Sequence, residues 1–478
     1  MYFPKRQIAI SFIWKLLERS GVQGISFVLT IILARILQPS EYGEMALVMV
    51  FINLANVIVD GGFSTALIQK KDADERDFST LMYVSLFISL LLYAFLFAIA
   101  PLIAAFYDKP EMIKIVRVIS VCVVIFSFNS LQRAYVSRFM KFKGLFKASL
   151  SSVLVSGILS VFLAFQGFGI WALVVYQISS SLLLSIVMWF SVDWRPSTMI
   201  SLKRFKNIYS FGCKILVSNV MIALFVNVRS IIIGKFYTPA SLAFFDRGRQ
   251  FPAIIMENIN TSLQTVLLPV FSNNQDDKLR INMMVSRSIK TSCLFIFPLM
   301  VLLIVVAKPL VLVLLTEKWV MAVPFVQIFS LAYILMPIQI ANLEAIKGIG
   351  RSDLILKLET IKKIIEVAIL VISSLLGVYA IAWGVVIYNF ICIFVNLYPN
   401  RELLIYPLMQ QIRDVLPQFF ASGVMGMLIY PIQYLELSPL TLLICQLLFG
   451  ILSYLVICHI FGLESYKYVL NLLYKYKY

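Results

Sequence analysis

The chain has 478 residues, 61% hydrophobic and only 14% charged, with a formal net charge of +17. Soluble domains are about half apolar and about a quarter charged, so this balance excludes an ordinary soluble domain and points to an integral membrane protein. The positive charge then belongs to membrane topology, and no nucleic-acid partner is expected.

The N-terminus is basic at Lys5 and Arg6, and the apolar run that follows continues to Leu37. A signal peptide would have a shorter apolar core and a small-residue cleavage site. The first run is therefore expected to stay as a span. Phe12 to Leu37 carries Lys15, Arg19, Gln23, Ser26 and Thr30. At about 100° per residue these share one helix face. Tyr42 to Ile68 carries Asn53, Asn56, Asp60 and Ser64 on one face, with Asp60 mid-run. A charge near a bilayer centre costs about 3 kcal/mol even on the lenient insertion scale. Such charges face protein or water, so this hairpin reads as part of the wall of a polar cavity.

Counting runs of about 20 residues gives about 14 transmembrane helices. They lie at 12–37, 42–68, 80–106, 113–135, 146–166, 170–190, 208–236, 241–270, 283–307, 320–346, 354–376, 379–399, 412–433 and 439–461. The fourth, eighth and eleventh carry the most charge. With the N-terminus inside, alternate loops hold nearly all the bases, among them Lys70, Lys71, Arg76, Arg138, Lys141, Arg195, Lys203, Lys278, Arg287, Arg351, Arg401 and Lys477. The opposite loops hold little beyond Lys109, Lys235, Lys308 and Lys318. That is the positive-inside pattern, and an even span count puts both termini in the cytoplasm.

An internal repeat divides the chain. At an offset of about 200 residues, Arg35 and Pro39 fall on Lys235 and Pro239, and Asp60 falls on Asn260. Gly169-Ile170-Trp171-Ala172 falls near Gly377-Val378-Tyr379-Ala380. Six spans per half is even, so the halves would share an orientation, with a polar site at their interface. The expected organisation is an all-α membrane fold of two six-helix lobes, 1–200 and 201–400, followed by two further helices and a cytoplasmic tail, 401–478.

The first two spans of each half concentrate the polar residues. The substrate-cavity candidates are Arg19, Gln23, Asn53, Asn56, Asp60, Lys214, Arg229, Glu257, Asn260 and Gln264. For Lys15, Lys214 and Arg35, near the interfaces, snorkelling or a helix-to-helix hydrogen bond is an equal reading. Glu359, Lys362, Lys363 and Glu366 are spaced to pair along one helix. The six cysteines are scattered through apolar runs without pairing motifs, and the single histidine, His459, makes no metal site. No catalytic group, metal or cofactor is expected. A proton or sodium ion at Asp60 or Glu257 is an option, as is an ion pair with a nearby arginine.

Several stretches together resemble the polysaccharide or O-antigen flippases of the multidrug, oligosaccharidyl-lipid and polysaccharide exporter superfamily. They include LARILQPSEYG (33–43), GGFSTALIQKKD (61–72), GFGIWALVVYQ (167–177), DWRP (193–196), IIIGKFYTPASLAFFDRGRQF (231–251) and TEKWVMAVPFVQIFSL (316–331). Leu242-Ala243 stands where the family usually has Leu-Gly. The resemblance implies two lobes in a V. It also implies movement of a polyprenyl-diphosphate-linked oligosaccharide across a bacterial inner membrane, alongside membrane lipids and other polysaccharide assembly proteins. Arg19, Arg229 and Lys214 would attract the diphosphate, while Asn53, Asn56, Asn260 and Gln264 would bind sugar hydroxyls. An ion-coupled multidrug exporter on the same fold is the alternative, but it predicts an acidic or aromatic cavity. A membrane polymerase or glycosyltransferase predicts a sizeable outer loop or an acidic or histidine cluster, and neither is present in the sequence.

Overall fold

A computed structural model describes residues 4–70, 73–197, 202–273, 277–404 and 406–475. Lys71, Lys477 and residues 198–201 of the expected 191–207 linker lie outside them. Among the described residues all regular structure is helical. Twelve helical stretches among the described residues are long and apolar enough to cross a membrane. The helices Pro239–Ser272 and Ser352–Ser374 stand at the expected eighth and eleventh spans, but their polar and charged residues keep them below that measure.

Contacts divide the chain into two compact units, 1–243 and 244–478. The division expected from sequence is of another kind, by internal repeat rather than by packing.

The first unit contains α1 (Lys5–Ile36), α2 (Pro39–Asp60), α3 (Phe63–Gln69), α4 (Glu75–Phe106), α5 (Met112–Ile119), α6 (Val121–Arg138), α7 (Phe142–Phe165), α8 (Ile170–Ser191) and α9 (Leu202–Phe236). The α1–α2 turn is short because Pro39 opens α2 in its first turn, where its missing N–H costs nothing. Gln38 and Glu41 close a reciprocal cap there, the Gln38 backbone N–H donating to the Glu41 carboxylate at 2.7 Å. Gly43 is needed one turn on, since a Cβ there would lie 1.8 Å from the Pro239 carbonyl oxygen.

The second expected run is not one helix. Gly61 and Gly62 have φ of 55° and 71°, a backbone conformation costly for residues with a Cβ. They end α2 and start α3. Asp60, expected mid-run, is the last residue of α2. The fourth expected run also breaks, between α5 and α6 at Ser120.

Packing in this unit centres on α6, which touches α2, α3, α4 and α8, while α1 packs on α7 and α9 lies along α2, α3 and α4. Loops and helix ends are locked at the base-rich end. Arg138 donates to the Leu67 and Lys70 carbonyls at 2.5 and 2.6 Å, satisfying the open end of α3. Buried Asp77 accepts from Lys70 at 2.6 Å. The DWRP motif is part of this lock. Asp193 pairs with Lys141 at 2.7 Å, and that ammonium holds its carboxyl below the usual range. Trp194 is buried and stacks on Tyr135 at 5.7 Å, and Arg195 donates to the Val192 carbonyl at the end of α8. At the other end, Lys109 pairs with Glu44 and Lys235 with Asp108, so two of the few opposite-side bases are neutralised locally.

The second unit begins within α10 (Pro239–Ser272). It continues with α11 (Lys278–Leu315), a 3-10 turn (Glu317–Ala322), α12 (Val323–Tyr333), α13 (Met336–Gly348), α14 (Ser352–Ser374), α15 (Val378–Leu397), α16 (Asn400–Leu403), α17 (Leu408–Ile429), α18 (Pro439–Ile460) and α19 (Glu464–Lys475). The tenth expected run is broken into the 3-10 turn, α12 and α13, each helix opening on a proline (Pro324, Pro337) that cannot extend a preceding ladder. On α14, Lys362 pairs with Glu359 at 2.5 Å and Lys363 with Glu366 at 2.7 Å, as their spacing predicts. A buried amide network joins α13, α16 and α17. In it Asn342 donates to Gln411 at 2.8 Å and accepts from Asn400 at 2.7 Å. The C-terminal helices α17 and α18 pack on α11 around Leu302, Val306, Met425 and Ile429.

Candidate functional site

The polar faces of the first unit converge on α6. On α2, Asn53 is exposed and Asn56 and Asp60 are half-buried. The Ser64 and Ser130 hydroxyls lie 2.6 and 2.5 Å from Asp60 Oδ1 and 2.9 Å from each other. The three groups tie α2 and α3 to α6. A carboxylate at a helix C-terminus opposes the helix dipole, but here Asp60 also stands at the N-terminus of α3, where the sign is favourable. The Asn56 side-chain oxygen, one turn before, is shielded from solvent and has no partner among the described residues.

The α1 face reaches α6 by another route. Lys15 pairs with Glu18 at 2.8 Å, and Glu18 accepts from Ser149 at 3.3 Å and acts electrostatically on Arg133 of α6. Arg19 is exposed and Gln23 half-buried. Ser26, further along that stripe, pairs with Tyr176 of α8.

Sequence reasoning missed the α6 contribution. Asn129, Ser130, Gln132 and Arg133 form a dense polar run inside an apolar stretch, a signal present in the sequence. Asn129 accepts from Ser185 at 2.7 Å and donates to the Ser181 carbonyl at 3.2 Å. Gln132 is fully buried with neither amide atom paired among the described residues.

The two α9 bases do not share one spot. A Cβ on Gly234 would meet Leu47, whereas a Cβ on Gly62 would meet Ile215, so α9 runs antiparallel to α2. Lys214 stands near the Gly61–Gly62 break. Arg229 lies 15 residues on, about 22 Å along the axis. Lys214 is exposed and Arg229 half-buried.

In the second unit Glu257, Asn260 and Gln264 share one face of α10. Gln264 donates to Asn260 at 2.9 Å, and Glu257 and Gln264 are exposed. Toward the start of α10, Asp246 lies 4.0 Å from Arg249, and Arg247 hydrogen-bonds Gln250 at 2.6 Å and sits over the Trp319 ring. No group of three or more His, Cys, Asp or Glu side chains arranged for a metal occurs among the described residues, and all six cysteines are free.

The sequence profile of a family described as polysaccharide biosynthesis protein matches residues 32–324, more than half of the chain. The teichuronic acid biosynthesis protein TuaB of Bacillus subtilis is 30% identical over 63% of this chain, and the match spans 62% of TuaB, less than two thirds of its length. The succinoglycan biosynthesis transport protein ExoT of Rhizobium meliloti is 24% identical over 71% of this chain and 68% of its own. The lipopolysaccharide biosynthesis protein WzxC of Escherichia coli is 21% identical over 76% and 74%. Among solved structures, the lipid II flippase MurJ in an inward closed conformation superposes with a TM-score of 0.76 at 15% identity, covering 94% of this chain and 98% of MurJ. An inward-facing multidrug MATE transporter gives 0.60 at 17% identity, over 80% of this chain and 94% of its own. At these identities the likeness is one of fold.

Proposed function

Because this chain belongs to the polysaccharide biosynthesis protein family, we propose that it is a flippase for a polyprenyl-diphosphate-linked oligosaccharide. It would carry that lipid across a bacterial inner membrane for surface polysaccharide assembly, by alternating access. The observation that carries the reading is a net basic set of polar side chains inside apolar, membrane-length helices. In the first unit Arg19, Lys214 and Arg229 stand against Asp60. A diphosphate-linked sugar is anionic and heavily hydrated, so a hydrated cationic path lowers the cost of crossing that hydrocarbon alone would impose. An exporter of small organic cations would be better served by the opposite sign.

The test is deletion of the gene. A glycan is expected to disappear from the cell surface while its lipid-linked precursor accumulates inside, and both return on complementation. Loss of a drug-resistance phenotype with surface glycans intact would transfer the reading to the multidrug class.

The orientation belongs to this proposal. The base-rich loops place both termini and the Arg195 segment in the cytoplasm. Reporter fusions at Asp108, Gln166 and Tyr379 are expected to report the outside. A cytoplasmic signal at any of the three breaks the alternation.

A further inference from the structure

An open cleft of about 540 Å³ lies between α10 and α11, on the face of α10 away from its polar ladder. Ile259, Leu263, Val266 and Val270 of α10 face Met284 and Phe295 of α11 across it. At about 100° per residue these α10 side chains point about 120° away from the centre of the Glu257, Asn260 and Gln264 face, and none of those three lines the cleft. The cleft is therefore separate from the polar stripe assigned to the saccharide. Its volume is that of a small-molecule site, which spans about 300 to 1,000 Å³.

One end of the cleft is charged. It shares Arg287, Thr291 and Tyr468 with a second, more polar pocket of about 280 Å³ that also takes in Lys290 and Glu464. The Arg287 guanidinium lies over the Tyr468 ring at 4.6 Å. Lys290 is already engaged, by Asp414 at 3.2 Å and Glu464 at 3.3 Å. Those pairs clamp α19 to α11 and α17, and Tyr466 and Val469 pack the same helix onto the core beside α18. Tyr468 is thereby a fixed wall, and it presents Arg287 at the mouth. Lys278, Arg280, Arg287 and Lys290 all fall in the first turns of α11. This is the zone where bases meet anionic headgroups at the cytoplasmic surface.

We propose that this cleft binds an anionic glycerophospholipid of the cytoplasmic leaflet, with its phosphate on Arg287 and an acyl chain between α10 and α11. Charge at one end and apolar walls along the rest match an amphiphile of that polarity. The choice of leaflet rests on the orientation proposed above; the site itself does not.

The probe is phosphatidylglycerol, compared with phosphatidylcholine of the same acyl chains, by native mass spectrometry of the purified full chain. Wild type is expected to retain one phosphatidylglycerol with at least fivefold preference. Arg287→Gln should bring the preference to parity, and Val266→Trp, which fills the trough, should lower retention of both lipids. Arg280→Gln, which removes a neighbouring base outside the cleft, should change nothing. Each variant is first checked for a single monodisperse species by gel filtration. Equal retention of both lipids by wild type overturns the proposal, as does an Arg280→Gln effect matching that of Arg287→Gln. Displacement of phosphatidylglycerol by undecaprenyl phosphate in an Arg287-dependent way also overturns it, by giving the cleft to a polyprenyl chain. None of these readouts involves transport, so they stand apart from failure of the flippase reading itself.

Discussion

Arg19→Glu and Arg229→Glu are expected to abolish glycan export, while Arg19→Lys and Arg229→Lys keep part of it. Arg19 is exposed on the polar stripe of α1, and Arg229 is half-buried on α9, each inside a helix otherwise apolar enough to span a membrane. At about 8 Å and an effective dielectric of about 20, one charge on a phosphate contributes about 2 kcal/mol, so reversal shifts the interaction by about 4 kcal/mol. That is about a thousandfold in occupancy. Lysine keeps the charge and loses only the planar fork that suits two phosphate oxygens, so a partial loss of about tenfold or less follows. The measurement is complementation of a flippase-null strain, with membrane abundance determined for every variant. If the glutamate variants at normal abundance export like wild type, neither arginine meets the substrate.

Asp60→Ala is expected to cut export at least tenfold while leaving the protein in the membrane at near-normal amount. The geometry explains why folding should survive. The two hydroxyls that approach Asp60 are 2.9 Å from each other, so without the carboxylate Ser64 and Ser130 can pair together and keep α3 on α6. With buried Ser130 donating to Ser64, the one donor that loses its acceptor is the half-buried Ser64 hydroxyl, so the large penalty of a stranded, fully buried donor is avoided. Asp60→Asn separates charge from hydrogen bonding, since its amide oxygen still accepts from both serines. An asparagine variant as inactive as the alanine variant assigns the carboxylate a proton or a cation during transport. An asparagine variant exporting like wild type leaves Asp60 as a hydrogen-bond acceptor only, and wild-type export by Asp60→Ala removes it from the transport path.

Much of this protein was legible in its sequence because the bilayer leaves few choices. Every backbone polar group in hydrocarbon must be satisfied within its own segment, so apolar runs of about 20 residues are helices. Polar stripes on those runs could be read from the helical period alone, and the ion pairs of α14 follow from spacings of three residues. Breaks within runs were less legible. Gly61-Gly62 turns one expected helix into α2 and α3 because both residues adopt left-handed backbone, and apolar composition does not distinguish that from a glycine pair inside a helix.

The grouping of side chains was decided only by the tertiary structure. Asp60 meets Ser130 across 70 residues, and Glu18 meets Ser149 across 131. No local period encodes such pairs; they exist because α6 and α7 pack where their small serine faces allow close approach. The same holds for Arg287. Sequence makes it one of many inner-loop bases, and it becomes the charged mouth of a cleft only because Lys290, Asp414 and Glu464 fix α19, and with it Tyr468, against α11. Periodicity determines which face of a helix is polar, while the partner that face meets depends on contacts between distant segments, whose energies outweigh any local preference.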